Sequence, residues 1–194
     1  MSTALILAYV GVVLMVGVSG LASAVATARC GMAAVGALKK NSGAFGSYMI
    51  LSALPGSQGL YGFVGYFMVS GLISEGMPMI TAVGIFGAGL LMAIVTLSSA
   101  LFQAKVCANG IAAIGNGNDV MGKTLILAAF PELYAILGVA ATFLISSAIS
   151  FDGIKEQKDL NKDYAKAERT TQKAQEDGIT EFYKEAAEAE AANN

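Results

Sequence analysis

Four stretches of the chain, residues 1–28, 41–74, 76–104 and 124–151, are almost free of charge and rich in aliphatic side chains. Each exceeds the ~20 residues that a helix needs to cross hydrocarbon. They are continuous apolar runs, not the alternating segments of about 10 residues that build a membrane β-barrel. A helix also satisfies its own backbone hydrogen bonds in lipid. The pattern predicts an all-α membrane protein with four transmembrane helices. The N-terminal run ends in Leu-Ala-Ser-Ala-Val-Ala but lacks a basic leader and extends past a normal signal core, so it is read as a retained span. In the fourth run the sole charge between Lys123 and Asp152 is Glu132.

The pattern repeats. Gly31-Met-Ala-Ala-Val-Gly36 matches Gly110-Ile-Ala-Ala-Ile-Gly115, and Leu51-Ser-Ala-Leu-Pro55 matches Leu127-Ala-Ala-Phe-Pro131. A helical hairpin is used twice, in tandem. The expected organisation is a first transmembrane hairpin over 1–75, a second over 76–151, and a charged helical extension over 152–194. Gly20, Ala24 and Ala28 recur every four residues in the first helix, as Gly84 and Ala88 do in the third. Such spacing lets helix backbones approach closely, within one bundle or along a narrow wall of many copies.

Composition and charge refine this picture. The chain is 55% hydrophobic and 13% charged, with mean hydropathy +0.62, too apolar for an ordinary soluble domain. Histidine and tryptophan are absent. Cys30 and Cys107 have no zinc or disulfide-framework spacing and read as small packing residues. No phosphate-binding Gly-x-x-x-x-Gly-Lys-Ser/Thr loop is present, so no hydrolytic chemistry is expected of this chain alone. Arg29, Lys39 and Lys40 flank the first connection and Lys105 and Lys123 the third. The positive-inside rule therefore places loops 36–44 and 115–123 in the cytoplasm and both termini outside.

Aligning the repeats sets Gly56 opposite Glu132 and Ala24 opposite Gln103. The halves have diverged: one supplies a carboxylate and an amide where the other has Gly and Ala. Leu54, Ser57, Gln58 and Tyr61 lie at i, i+3, i+4 and i+7, one helix face. Pro55 and Pro131 each lack an amide hydrogen beside these polar groups. A carboxylate at this depth costs about 2.5 to 3.5 kcal/mol on insertion scales and marks an ion or proton pathway.

These residues resemble the proteolipid rotor-ring component (the K or c subunit) of V-type and V/A-type rotary ATPases, in its sodium-type bacterial branch. The resemblance covers residues 1–151 and rests on the duplicated hairpin, Leu-Pro-Gly-Ser-Gln-Gly-Leu-Tyr-Gly (54–62), Phe-Gln-Ala-Lys (102–105) and Pro-Glu-Leu-Tyr-Ala (131–135). It implies a Na+ site in which Glu132 is the carboxylate, Gln58 and Gln103 give amide oxygens, Ser57 a hydroxyl and Leu54 a backbone carbonyl. Tyr61 would lock Glu132 through a hydrogen bond. Ser57 stands where the family has threonine. The resemblance further implies a closed homo-oligomeric ring of roughly ten copies in membrane lipid. A stator subunit would supply an essential arginine, and central-stalk subunits would meet the cytoplasmic loops. Neither an organic cofactor nor nucleic acid is expected.

A bound cation would neutralise Glu132 and let the site face lipid, whereas an empty carboxylate needs a cationic partner or water. Hard cations take several oxygen ligands, which favours Na+ over H+, a proton needing only the carboxylate. H+ is the alternative coupling ion, and lithium is expected to substitute for sodium. A passive pore or transporter built from repeats is a different class of reading. So is a purely structural bundle, in which Glu132 would be dispensable.

The extension changes character after Phe151, where acidic residues come to outnumber basic ones. Helices are expected from about Ile154 to Thr171 and from about Thr180 to Ala192, with a break at Asp177-Gly178. Leu160, Tyr164 and Ala167 form a thin apolar stripe suited to a neighbour. The rotor family usually ends soon after its fourth helix, so the extension is a departure, expected to serve at the outer opening of a ring.

Overall fold

The computed structural model describes residues 2–192, with side chains at 151–157, 160, 174 and 177–192 outside the described set. Among the described residues all regular structure is helical. The chain runs through α1 (Thr3–Val13), a π-helical turn (Leu14–Val18) and α2 (Ser19–Leu38). After a 3-10 turn (Ser42–Ala44) come α3 (Phe45–Ala53), a second 3-10 turn (Leu54–Gly56) and α4 (Ser57–Ser70). Then follow α5 (Met79–Gly115) and α6 (Met121–Ala192). The chain divides into two compact units, Met1–Gly153 and Ile154–Asn194.

The Thr3–Leu38, Met79–Gly115 and Met121–Ser150 helices are long and apolar enough to cross a membrane. The remaining rod of the first unit, α3 to α4, is divided at Pro55. Proline cannot donate to the helical ladder, and the chain tightens there into a 3-10 turn that closes with a bond from the Ser57 N–H to the Leu54 carbonyl. Further on, the Gly59 N–H is taken by the Ser23 hydroxyl at 2.8 Å. Pro131 behaves differently, because α6 runs through it without a break. The aligned prolines thus interrupt one repeat and leave the other helical.

The first unit has two apolar clusters. One gathers Ala22, Cys30, Tyr48, Leu51, Ala100, Cys107, Ile111 and Ala128, so both cysteines are buried packing residues. The other gathers Leu5, Met15, Val69, Ile85, Met92 and Ile149. The chain alternates between them, and polar residues fall in the gaps. Ser19 lies between Met15 and Ala22, Gln58 between Leu54 and Tyr61, Thr96 and Ser99 between Met92 and Ala100, and Glu132 between Ala128 and Val139. A polar layer therefore separates two hydrophobic ones, and buried hydroxyls there are paired, as in the 2.7 Å contact of Ser19 with Thr96.

Lys40 donates to the Asn116 side-chain oxygen at 2.8 Å, and the Asn41 amide to the Ile114 carbonyl at 3.4 Å. The first and third connections therefore lie side by side, as a repeated hairpin requires. Gly117, at φ 89°, provides the left-handed residue that turns the chain out of α5.

Within the chain, close helix approach does not use the small-residue stripe of the first helix, which leaves that stripe to the alternative expectation of a wall between copies. Gly20, Ala24 and Ala28 are exposed, and a Cβ on Gly20 would meet nothing within 4 Å. Contact is made instead where a Cβ on Gly89 would run into the backbone of Gly11, and one on Gly62 into Met15 and Ser19. Ala88 is buried, and a Cβ on Gly84 would strike Ile149, so the third-helix stripe does pack inward.

In the second unit, helix continues through Asp177 and Gly178, so the expected break is absent. One internal glycine costs a helix about 1 kcal/mol, too little to end it amid the Ala, Glu and Lys around it. Thr170 and Thr171 donate back to the carbonyls of Lys166 and Ala167, and Lys162 lies 3.6 Å from Asp159. Tyr164 and Ala167 are exposed, while the side chain of Leu160 lies outside the described residues.

Candidate functional site

Four elements bring the polar residues together. The 3-10 turn supplies Leu54, the start of α4 supplies Ser57, Gln58 and Tyr61, α5 supplies Ser99 and Gln103 one turn apart, and α6 supplies Glu132 just after Pro131. Gln58 and Gln103 are fully buried, and Glu132 is half-buried. Burying such groups is tolerable only when they are hydrogen-bonded.

The bonds form a directed chain. Tyr61 donates its hydroxyl to Glu132 Oε1 at 2.8 Å. Gln103 donates its amide to Glu132 Oε2 at 3.0 Å and to the Ala128 carbonyl at 3.1 Å. Gln103 Oε1 in turn accepts from Gln58 Nε2 at 2.8 Å. Gln58 Nε2 also donates to Ser99 Oγ at 3.0 Å, and Ser99 donates to the Pro131 carbonyl at 2.8 Å. Both carboxylate oxygens thus face donors, an arrangement that suits the ionised acid.

One atom breaks the pattern. Gln58 Oε1 is buried and accepts no hydrogen bond among the described residues. Buried side-chain oxygens are nearly always satisfied, so this one has lone pairs to offer a ligand. Ser57 donates to the Leu54 carbonyl at 3.2 Å, and its own oxygen keeps its lone pairs.

The structure therefore joins Glu132, Gln103, Gln58 and Tyr61 by direct hydrogen bonds. Ser57 and Leu54 bond to each other. Ser99 was not foreseen from sequence; its signal was its place four residues before Gln103, hence on the same face of α5. In the first hairpin the matching place is filled otherwise. Thr27 folds its hydroxyl back onto the Ser23 carbonyl at 2.8 Å, and a Cβ on Gly56 would meet the Thr27 methyl at 3.6 Å.

A tandem pair of apolar hairpins with one mid-helix carboxylate inside a polar layer defines a membrane proteolipid. A sequence profile of the ATP synthase C-subunit family matches this chain twice, over residues 10–69 and 86–145, one match per hairpin. The chain belongs to that family. It is similar to the V-type sodium ATPase subunit K of Enterococcus hirae, at 37% identity over 127 residues, 66% of this chain and 81% of the relative. It is also similar to the A-type ATP synthase subunit K of Methanocaldococcus jannaschii, at 33% identity over 141 residues, 73% of this chain and 62% of the relative. The chain is a rotor proteolipid of a V/A-type rotary ATPase and is not catalytic on its own.

Proposed function

We propose that this proteolipid carries Na+ across the membrane on Glu132 as its ring turns, driven by ATP hydrolysis in other subunits. The observation that carries this reading is Gln58 Oε1, buried and without a hydrogen-bond partner among the described residues, within the hydrogen-bonded set around Glu132. Gln58, Ser57 and the Leu54 carbonyl supply neutral oxygens, Gln103 adds the lone pair of its Oε1 that Gln58 does not use, and Glu132 supplies the charge. A hard alkali cation favours such an all-oxygen set. The relative from Enterococcus hirae is named as part of a sodium ATPase, which agrees. Tyr61 holds the carboxylate in place through its hydroxyl.

H+ is the competing cargo. A proton needs only the carboxylate and gives no task to the oxygens of Gln58, Ser57 and Leu54 gathered beside it. That favours the cation. Lithium replaces sodium in the same cage. The ring is a closed set of roughly ten copies. A stator arginine empties each site in turn, loops 36–44 and 115–123 meet the central stalk in the cytoplasm, and both termini face outward.

The test is labelling of Glu132 by a carboxyl-directed carbodiimide at fixed pH. Sodium protects Glu132 if it occupies the site. Labelling that is the same with and without sodium overturns the assignment.

A further inference from the structure

We infer that Ser99 is a positioning residue that fixes the direction of the Gln58 amide, and so decides that an oxygen, not an NH2 group, is presented to the transported cation. The inference rests on the sodium reading above.

A glutamine side chain is nearly symmetric in shape, so only its partners decide which end is oxygen. The direction can be read from groups that have no choice. The Ala128 carbonyl can only accept, and ionised Glu132 can only accept. Both contact the same end of Gln103, at 3.1 and 3.0 Å, so that end is the NH2. Its other end, Oε1, then requires a donor from Gln58 at 2.8 Å.

Ser99 supplies the second constraint on Gln58. Its single hydroxyl hydrogen is committed to the Pro131 carbonyl, another group that can only accept. Toward Gln58 it can therefore only accept. Gln103 and Ser99 together take both hydrogens of the Gln58 amide and leave Gln58 Oε1 as the end without a partner among the described residues. Reversing Gln58 would set two oxygens against each other at Gln103 and aim NH2 hydrogens at a cation.

Neighbouring Ser98 shows that this is not a default of serine on α5. Ser98 is exposed and turns its hydroxyl back onto the Ile94 and Val95 carbonyls of its own helix. Buried Ser99 instead reaches across to α6 and to the residue before Glu132. One hydroxyl thereby couples the carboxylate helix to the orientation of a proposed ligand two helices away.

Without Ser99, one Gln58 hydrogen is left buried and unpaired, and only Gln103 still holds the amide direction. The experiment uses membranes carrying the whole ATPase and reads the NaCl concentration that half-protects Glu132 from carbodiimide at fixed pH. Ser99→Ala raises that concentration about five- to tenfold, the worth of one buried hydrogen bond. Ser99→Thr keeps the hydroxyl and stays near wild type. Ser99→Cys, a second variant without the hydroxyl, follows Ser99→Ala should the alanine ring fail to assemble. In a Gln58→Ala background, Ser99→Ala adds no further shift.

A wild-type midpoint in both Ser99→Ala and Ser99→Cys overturns the inference while leaving the sodium reading intact. So does a shift that persists undiminished in the Gln58→Ala background, which would assign Ser99 a purely packing role. Absence of sodium protection in the wild type overturns the sodium reading and this inference with it.

Discussion

The two hairpins share one sequence pattern and one family profile, yet only the second has the carboxylate and the α5 amide. Where the second has Glu132, the first has Gly56; where the second has Gln103, the first has Ala24. The first hairpin instead contributes Gln58 and Tyr61, projected from just past the 3-10 turn at Pro55. The two matching hairpins contribute different parts to one hydrogen-bonded polar set. A single charge in a polar layer is cheaper to bury than two, because each carboxylate needs its own set of donors and its own neutralising partner.

The strongest way to break this comparison is to move the charge. Glu132→Gln should abolish both ATP-driven Na+ transport and carbodiimide labelling. Transferring the carboxylate, with Gly56→Glu and Glu132→Gly together, should not restore transport, because Ala24 offers no amide where Gln103 does. Sodium uptake into vesicles containing the reconstituted ATPase measures both; recovery in the swapped variant would show that the halves are interchangeable.

Next in size is the amide. Gln103→Ala removes donors to Glu132 and Ala128 and leaves one of the two Gln58 amide hydrogens without its acceptor. Hydrogen bonds to charged groups contribute about 1.5–3 kcal/mol, so the half-protecting sodium concentration should rise roughly 10- to 100-fold. Its counterpart change in the first hairpin, Ala24→Gly, should leave that concentration unaltered.

Packing offers a third contrast. Gly89→Ala drives a methyl into the Gly11 backbone, which cannot yield as a flexible side chain would. Such overpacking costs about 1–3 kcal/mol and should lower the yield of intact ring on native gels. Gly20→Ala meets open space within the protomer, and its effect on yield reports only on contacts with other chains.

Tyr61→Phe should be milder. Losing one hydroxyl bond to Glu132 Oε1 should speed carbodiimide labelling about fivefold in sodium-free buffer, because the other carboxylate oxygen keeps Gln103. The smallest effect is expected from removing residues 152–194, which supply none of the site's hydrogen bonds among the described residues. Sodium protection should be unchanged, while ring yield or ion leak tests the expected role of the extension at the outer opening. Unchanged yield and leak would remove that role.

Much of the site was legible because charge and amide groups are rare in a lipid-facing sequence. Glu132 stood out as a lone carboxylate, Gln58 and Tyr61 by helical spacing, and Gln103 by its mismatch with Ala24. Ser99 did not stand out, since a serine hydroxyl can bond within its own helix, as Ser98 does. The aligned prolines looked equivalent, yet Pro55 interrupts its helix and Pro131 does not. Locally Gly56 follows one proline and Glu132 the other, and from far along the chain the Ser23 hydroxyl takes up the Gly59 N–H.

Sequence alone determined the apolar runs, their duplication and the placement of one costly charge, because hydrophobic burial and the helical period are written in residue order. Tertiary structure decided which small residues touch and which way each buried amide points. Those outcomes depend on which donors and acceptors from separate helices meet within about 3 Å, and residue order along one helix does not specify the partner across from it.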